Sequence, residues 1–253
     1  MQLIDSHCHL DDDRFDGRRD DVIARAAAAG VNAMVVPATT ANRWDKVKQV
    51  CAGRDSFYPA YGLHPWFVEQ HQPIHLRELD EWLEREKPVA LGECGLDFYQ
   101  SRRDEPWQKQ LFIEQLQLAK NHALPVIVHA RKAMDDVISL LRKNASHGGV
   151  VHSFAGSRQQ AQQLFDLGFK LGIAATVGFE RAQKLRAVVA AMPASALLLE
   201  SDAPDQPGTC HRGEANEPAY IVEHLQTMAE LRQCSVAELA ASLNRNAKSL
   251  FNI

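Results

Sequence analysis

No stretch of this chain is apolar for long enough to span a bilayer. The longest apolar run, Ala187 to Leu199, is broken by Pro193 and Ser195 and falls short of a membrane helix. No charged leader and apolar core precede the first strand-like segment, so no signal peptide is expected. Low-complexity linkers and close internal repeats are absent, which favours one domain over residues 1–253. There is no basic excess. With a formal net charge of −4, any affinity for nucleic acid must come from bound cations and local Arg or Lys. The five cysteines, Cys8, Cys51, Cys94, Cys210 and Cys234, are odd in number, widely spaced and without a C-x-x-C pair. That pattern excludes a disulfide framework and fits free thiols in a reducing cytoplasm.

What is present is an ordinary globular composition, 45% hydrophobic and 24% charged. Short apolar runs recur near Leu3–Ser6, Ala33–Ala38, Tyr58–Gly62, Val89–Gly92, Val126–Val128, Val150–Val151, Lys170–Ala174 and Leu197–Glu200. They read as parallel strands buried on both faces. Helical patterns fall between them, at Arg18–Ala29, Asn42–Ala52, Leu76–Glu86, Glu105–His122, Met134–Asn144, Arg158–Leu167 and Arg181–Ala191. Pro218–Arg232 and Val236–Phe251 follow the last strand, the latter opened by a Ser235–Glu238 capping box. Eight strand-then-helix units predict an α/β fold, a (β/α)8 TIM barrel. The alternative is an open doubly wound sheet, which gathers ligands at one switch point only.

Six candidate metal ligands follow these runs directly: His7, His9, Glu93, His129, His152 and Asp202. Any one alone also reads as an ordinary polar residue closing a strand. Together they fall at the C-terminal strand ends, where barrel enzymes carry their chemistry. Imidazole and carboxylate suit Zn²⁺, Mn²⁺ or Mg²⁺, and six ligands suit two divalent cations. His7 and His9, two apart, share a face, and Cys8 between them should point away. Cys8 and Cys94 read as buried small apolar residues. The chemistry expected of such a site is hydrolysis through a metal-activated water, with Glu93 bridging the cations and Asp202 activating the nucleophile and moving its proton.

Longer motifs carry a family resemblance. Asp5-Ser6-His7-Cys8-His9-Leu10, Gly62-Leu63-His64-Pro65, Gly92-Glu93-Cys94-Gly95-Leu96-Asp97 and Pro125-Val126-Ile127-Val128-His129-Ala130-Arg131 come in order. His152-Ser153-Phe154-Ala155-Gly156-Ser157, Glu200-Ser201-Asp202-Ala203-Pro204 and Asn216-Glu217-Pro218 continue them. The chain resembles the TatD family of metal-dependent hydrolases, within the amidohydrolase superfamily. The resemblance covers essentially the whole chain and implies a (β/α)8 barrel, a divalent-metal site and phosphodiester hydrolysis. Some members are deoxyribonucleases that trim DNA from the 3′ end, so single-stranded DNA is the implied substrate and partner. Family patterns more often have Ile at Cys94 and Thr at Ser201, and the loop from Asp205 to Gly213 lacks a tyrosine-rich form.

Around the ligands, His64 reads either as a contact to substrate phosphate or metal-bound water, or as a histidine holding its loop. Arg131 reads as a phosphate grip or as a salt-bridge partner. Arg212 is a weaker phosphate candidate, and Arg102 and Arg103 read as a solvated loop. Trp66, Phe98 and Tyr99 could stack a nucleobase or pack their loops. Glu200 could orient a ligand. The rival functions are an amidohydrolase or deacylase using the same cations, and a non-catalytic metal-binding interaction protein. The sequence leaves metal identity and oligomeric state open, and a monomer is compatible with it.

Overall fold

The computed structural model describes residues 2–100, 104–145 and 147–253. Eight parallel strands run in sequence order: β1 (Leu3–Asp5), β2 (Val31–Pro37), β3 (Phe57–Tyr61), β4 (Ala90–Asp97), β5 (Val126–Arg131), β6 (Gly149–Val151), β7 (Phe169–Ile173) and β8 (Leu197–Leu199). Around them lie α1 (Arg19–Ala28), α2 (Trp44–Cys51), α3 (Pro73–Glu86), α4 (Glu105–Asn121), α5 (Met134–Asn144), α6 (Arg158–Asp166), α7 (Gln183–Ala191), α8 (Ile221–Arg232) and α9 (Val236–Phe251). The seam between β8 and β1 is joined by Ser6 N–H to Leu199 O at 3.0 Å and Asp202 N–H to His7 O at 2.9 Å. This is the (β/α)8 barrel the strand–helix alternation predicts. No helix among the described residues is long and apolar enough to cross a membrane.

The strand side chains divide by parity, as a pleated sheet requires. Ile4, Val35, Ala60, Ala90, Ile127, Val150 and Leu198 make an inner cluster, while Met34, Val36, Val126, Val128, Leu197 and Leu199 join the larger core against the helices. α9 completes the inner cluster with Ala247 and Phe251. It closes the N-terminal end of the barrel, where Asn244 Oδ1 accepts from Ile4 N–H at 3.1 Å and Asn246 Nδ2 donates to Leu197 O at 2.9 Å.

Boundaries shift modestly from expectation. β2 begins at Val31, and β4 continues past Gly92 to Asp97. α3 starts at Pro73, because proline suits a first helical position and His75 Nδ1 accepts from Gln72 N–H at 3.2 Å. At Ser235 only half of the capping box forms. Ser235 Oγ accepts from Glu238 N–H at 3.1 Å, while the Glu238 carboxylate takes the Ser235 hydroxyl at 2.8 Å instead of the backbone N–H.

Candidate metal centre

Parity places half of the site without further devices. His129 is two residues beyond the inward Ile127, and His152 two beyond the inward Val150, so both rings face the barrel axis at its C-terminal end. Glu93 needs a correction of parity, because Leu91 two residues earlier faces the helices. The β4–β5 register shifts between Leu91 and Cys94, and Gly92 there has a φ of 153°. A Cβ at Gly92 would lie 2.7 Å from Ile127 Cβ, so glycine alone fits the bulge that turns Glu93 inward. Cys94 then packs outward in the core. Glu93 and His129 therefore sit within their strands rather than after them. His7 and His9 lie beyond β1, in chain that has left the ladder, yet their Nε2 atoms converge to 3.2 Å. Cys8 between them is fully buried, its Sγ 3.8 Å from Ala203 O, and burial pushes the Cys8 and Cys94 thiols upward, so neither is a thiolate.

The donor atoms form two groups around the two oxygens of Glu93. His7 Nε2 and His9 Nε2 stand 3.2 and 3.4 Å from Glu93 Oε2. Both also face Asp202 Oδ1, at 3.5 and 3.6 Å. Donors about 2.1 Å from a shared ion in a tetrahedral site lie about 3.4 Å from one another. Glu93 Oε2 is buried with no hydrogen-bond partner, as is expected of an oxygen shaped for a cation. The residues present fit a divalent metal.

Glu93 Oε1 has His64 Nε2 at 2.9 Å, His129 Nδ1 at 2.9 Å and His152 Nε2 at 2.7 Å. His129 turns Nδ1 inward because Asp97 Oδ2 holds its Nε2 at 2.8 Å. His64 is different. Its Nδ1 accepts the Trp66 N–H at 2.9 Å and caps the short 3-10 segment Pro65–Gln70. The neutral ring therefore carries its proton on Nε2, which points into the site toward Glu93, beside His129 Nδ1 at 3.2 Å in a grouping that could also hold a cation. Burial pushes the His64 ring down to about 4, which keeps it neutral. The loop-holding reading of His64 describes its Nδ1, while Nε2 faces Glu93.

The electrostatics are those of a cation site. Burial alone would raise Glu93, but His152, His64, His7 and the His129 hydrogen bond hold it well below the usual carboxylate range. Burial would lower His9 and His152, yet the surrounding carboxylates push them up to about 10 and about 9. The cluster attracts positive charge, and protons compete for the places a metal would take.

Behind the donors lies a buried acidic layer. Asp5 Oδ1 accepts from Ser201 N–H at 2.9 Å and His7 N–H at 3.2 Å, fixing the two chain segments that carry ligands. Glu200 is fully buried and accepts from Ser153 N–H. Gly172 makes room for it, since a Cβ there would lie 2.0 Å from Glu200 Oε2. Gln206 Nε2 donates to Asp202 Oδ2, leaving Oδ1 toward His7 and His9. Asn216 Nδ2 donates to Ser201 O at 2.8 Å and Asp205 O at 2.9 Å, so the Asn216-Glu217-Pro218 motif braces the loop that carries Asp202.

The donors open into a cleft of about 1310 Å³ lined by His64, Arg131, Trp66 and Tyr99 among others. Arg131 makes no salt bridge among the described residues, although its charge helps hold its register partner Asp97 below the usual carboxylate range, and its guanidinium lies 3.5 Å from the Tyr99 ring centroid. Phe98 is buried, whereas Trp66 and Tyr99 are exposed. Arg212 lies over Phe179 at 5.1 Å and outside the cleft lining. Arg102 and Arg103 fall outside the described residues. Asp97 and Gln206 are the site residues that motif reasoning passed over. Asp97 was visible in principle, four residues beyond Glu93 and of the same parity. Gln206 had no signal, because its role depends on a loop turning back over Asp202.

Comparison with known proteins agrees with this architecture. A family model described as TatD related DNase matches residues 4–252. An uncharacterized metal-dependent hydrolase, YjjV of Escherichia coli strain K12, is 40% identical over 255 residues, covering 100% of this chain and 98% of its own. The crystal structure of a YjjV TatD homologue from E. coli K12 matches with a TM-score of 0.95 at 39% identity, over 99% of this chain and 98% of that one. A 3′-5′ ssDNA/RNA exonuclease TatD of Klebsiella pneumoniae strain 342 is 33% identical over 260 residues, 99% of this chain and 98% of its own. The barrel, the motifs and these matches agree: the chain belongs to the TatD family of metal-dependent hydrolases.

Proposed function

We propose that this protein hydrolyses phosphodiester bonds at the 3′ end of single-stranded nucleic acid, using two divalent cations. His7, His9, Glu93 and Asp202 would hold one cation, and Glu93, His129 and His152 the other. When bound, such ions lower the pKa of water and polarise the scissile ester. Asp202, with one oxygen tied by Gln206, accepts the proton of the attacking water. His64 donates from Nε2 to oxygen at the reacting phosphate, and Arg131 grips a non-bridging phosphate oxygen pair. The imidazole-rich set favours Zn²⁺ or Mn²⁺ over Mg²⁺.

The observation that carries this reading is Arg131, an exposed arginine in the cleft that makes no salt bridge among the described residues, two positions outward from His129 on β5. A relative named for 3′-5′ exonuclease action on ssDNA and RNA supports it. An acyl-hydrolysing site would want an apolar pocket beside the donors. The cleft instead mixes Asp11, Thr39, Thr40, Asp97, Ser153 and Gln206 with smaller apolar stretches at Ala130, Ala133, Met134 and Ala155. The test is cleavage of end-labelled single-stranded DNA by the metal-loaded protein beside Asp202→Asn. A ladder shortening from the 3′ end, lost in the variant, is the expected result. No cleavage with Mg²⁺, Mn²⁺ or Zn²⁺ would overturn it, and Asp202→Asn that keeps metal and full activity would remove the base role.

A further inference from the structure

Four large apolar side chains are exposed among the described residues: Trp66, Ile74, Tyr99 and Ile113. Ile74 and Ile113 lie on helices, whereas Trp66 at 44% exposure and Tyr99 at 54% line the cleft. They come from the chain after β3 and after β4, and β5 beside them carries both His129 and Arg131. Each aromatic is anchored through its backbone to a side chain of the site. Trp66 N–H donates to His64 Nδ1, and Tyr99 N–H donates to Asp97 Oδ1 at 2.9 Å. Arg131 lies between them, 3.5 Å from the Tyr99 ring centroid and 5.7 Å from that of Trp66.

Such a row is costly to leave in water. Trp66 and Tyr99 stay exposed, and the Arg131 guanidinium sits 3.5 Å from the Tyr99 ring centroid without a salt bridge among the described residues, although its register partner Asp97 feels its charge. A ligand with a flat π face and an adjacent anion satisfies both needs at once. A nucleotide has that shape and a simple phosphodiester does not.

We propose that Trp66, Arg131 and Tyr99 form a ledge that takes an unpaired nucleobase of the substrate strand, with Arg131 shared between the base face and its phosphate. The inference rests on the phosphodiesterase reading above and deepens it. The ledge can act only on a base free of a pairing partner, so it selects single strands and frayed ends over closed duplex. It offers no hydrogen-bond code for a particular base, so preference among the four bases is expected to be slight.

The experiment is equilibrium binding of fluorescein-labelled pentanucleotides to the metal-loaded full-length protein, by fluorescence anisotropy. A non-cleavable phosphonate replaces the 3′-terminal linkage, and a second strand carries an abasic residue at that end. Stacking of one base on an aromatic is worth about 5- to 150-fold in affinity. The wild type should prefer the base-bearing strand by about tenfold. Trp66→Ala and Tyr99→Ala should each bring the two strands to within about twofold, and Tyr99→Phe should keep the preference. Equal binding of both strands by the wild type, or a preference retained in both alanine variants, overturns the ledge. If the preference holds but the wild type fails to cleave an ordinary strand, the ledge stands and the exonuclease reading falls.

Discussion

Asp97 Oδ2 holds Nε2 of His129 at 2.8 Å, and this contact decides which nitrogen of the ring meets Glu93. A carboxylate behind an imidazole fixes its tautomer and raises its basicity. Asp97→Ala should therefore weaken divalent-metal affinity by about 10- to 100-fold while the barrel stays folded. A competition titration against a chelating dye reads this directly, and unchanged affinity would show that Asp97 does not set the ring.

His64 and His152 both lie within 3 Å of Glu93 Oε1, yet only His64 has its other nitrogen engaged, by the Trp66 N–H, and this assigns them different work. His152→Ala should lose bound metal. His64→Ala should keep the same metal content and lose about 10²- to 10³-fold in kcat, the scale for removing one donor to developing charge. Metal content by atomic absorption, beside turnover, separates the two. Loss of metal in His64→Ala would make it a ligand.

Buried acids give the metal-free protein an unusual pH response. Burial pushes Asp5 up from 3.8 to about 7 and Glu200 from 4.5 to about 8. Between those values the folded state keeps protons that the unfolded chain has released, so stability falls as pH rises through the window. Above 6.5, His9 and His152, pushed up by the carboxylates around them, add to the fall in the same direction. Below 6.5 the buried neutral rings of His7, His64 and His224, each pushed down to about 4, oppose this fall, so urea unfolding at pH 7.0, 7.5 and 8.0 should show a declining midpoint, flattened in Asp5→Asn combined with Glu200→Gln. A midpoint that climbs over this range would contradict the assignment.

Phe251 fills the N-terminal end of the barrel at 2% exposure, far from the donors. Phe251→Ala should cost about 3–5 kcal/mol of stability. Metal affinity should be unchanged. Thermal melts with and without metal check both halves.

The barrel was legible because buried parallel strands leave continuous apolar runs with helical patterns between them, and because the candidate ligands fall at those runs. His129 and His152 follow from parity alone. Glu93 was found by motif and by its place after an apolar run, while its true setting, mid-strand after a bulge, depends on Gly92 and Ile127 meeting across two strands. The same limit hid Gln206, whereas Asp97 shares the parity of Glu93 and was passed over. A side chain that acts by touching another ligand leaves no periodic trace, only a contact made when distant segments close. His64 was half visible: its position was clear, but which nitrogen faced the site depended on the Trp66 backbone.

The seam deserves its own reading as a mechanical joint. The first strand hands over directly to His7 and His9, and the last to Asp202, with two backbone bonds across the gap. A cation held by these residues would be a clasp between the beginning and the end of the strand sequence. A ribosome releases His7 nearly two hundred residues before Asp202, so the clasp can fasten only once almost the whole chain has emerged. Acquisition of metal would then mark completion of the barrel, and the protein could not be charged with its cation while half made.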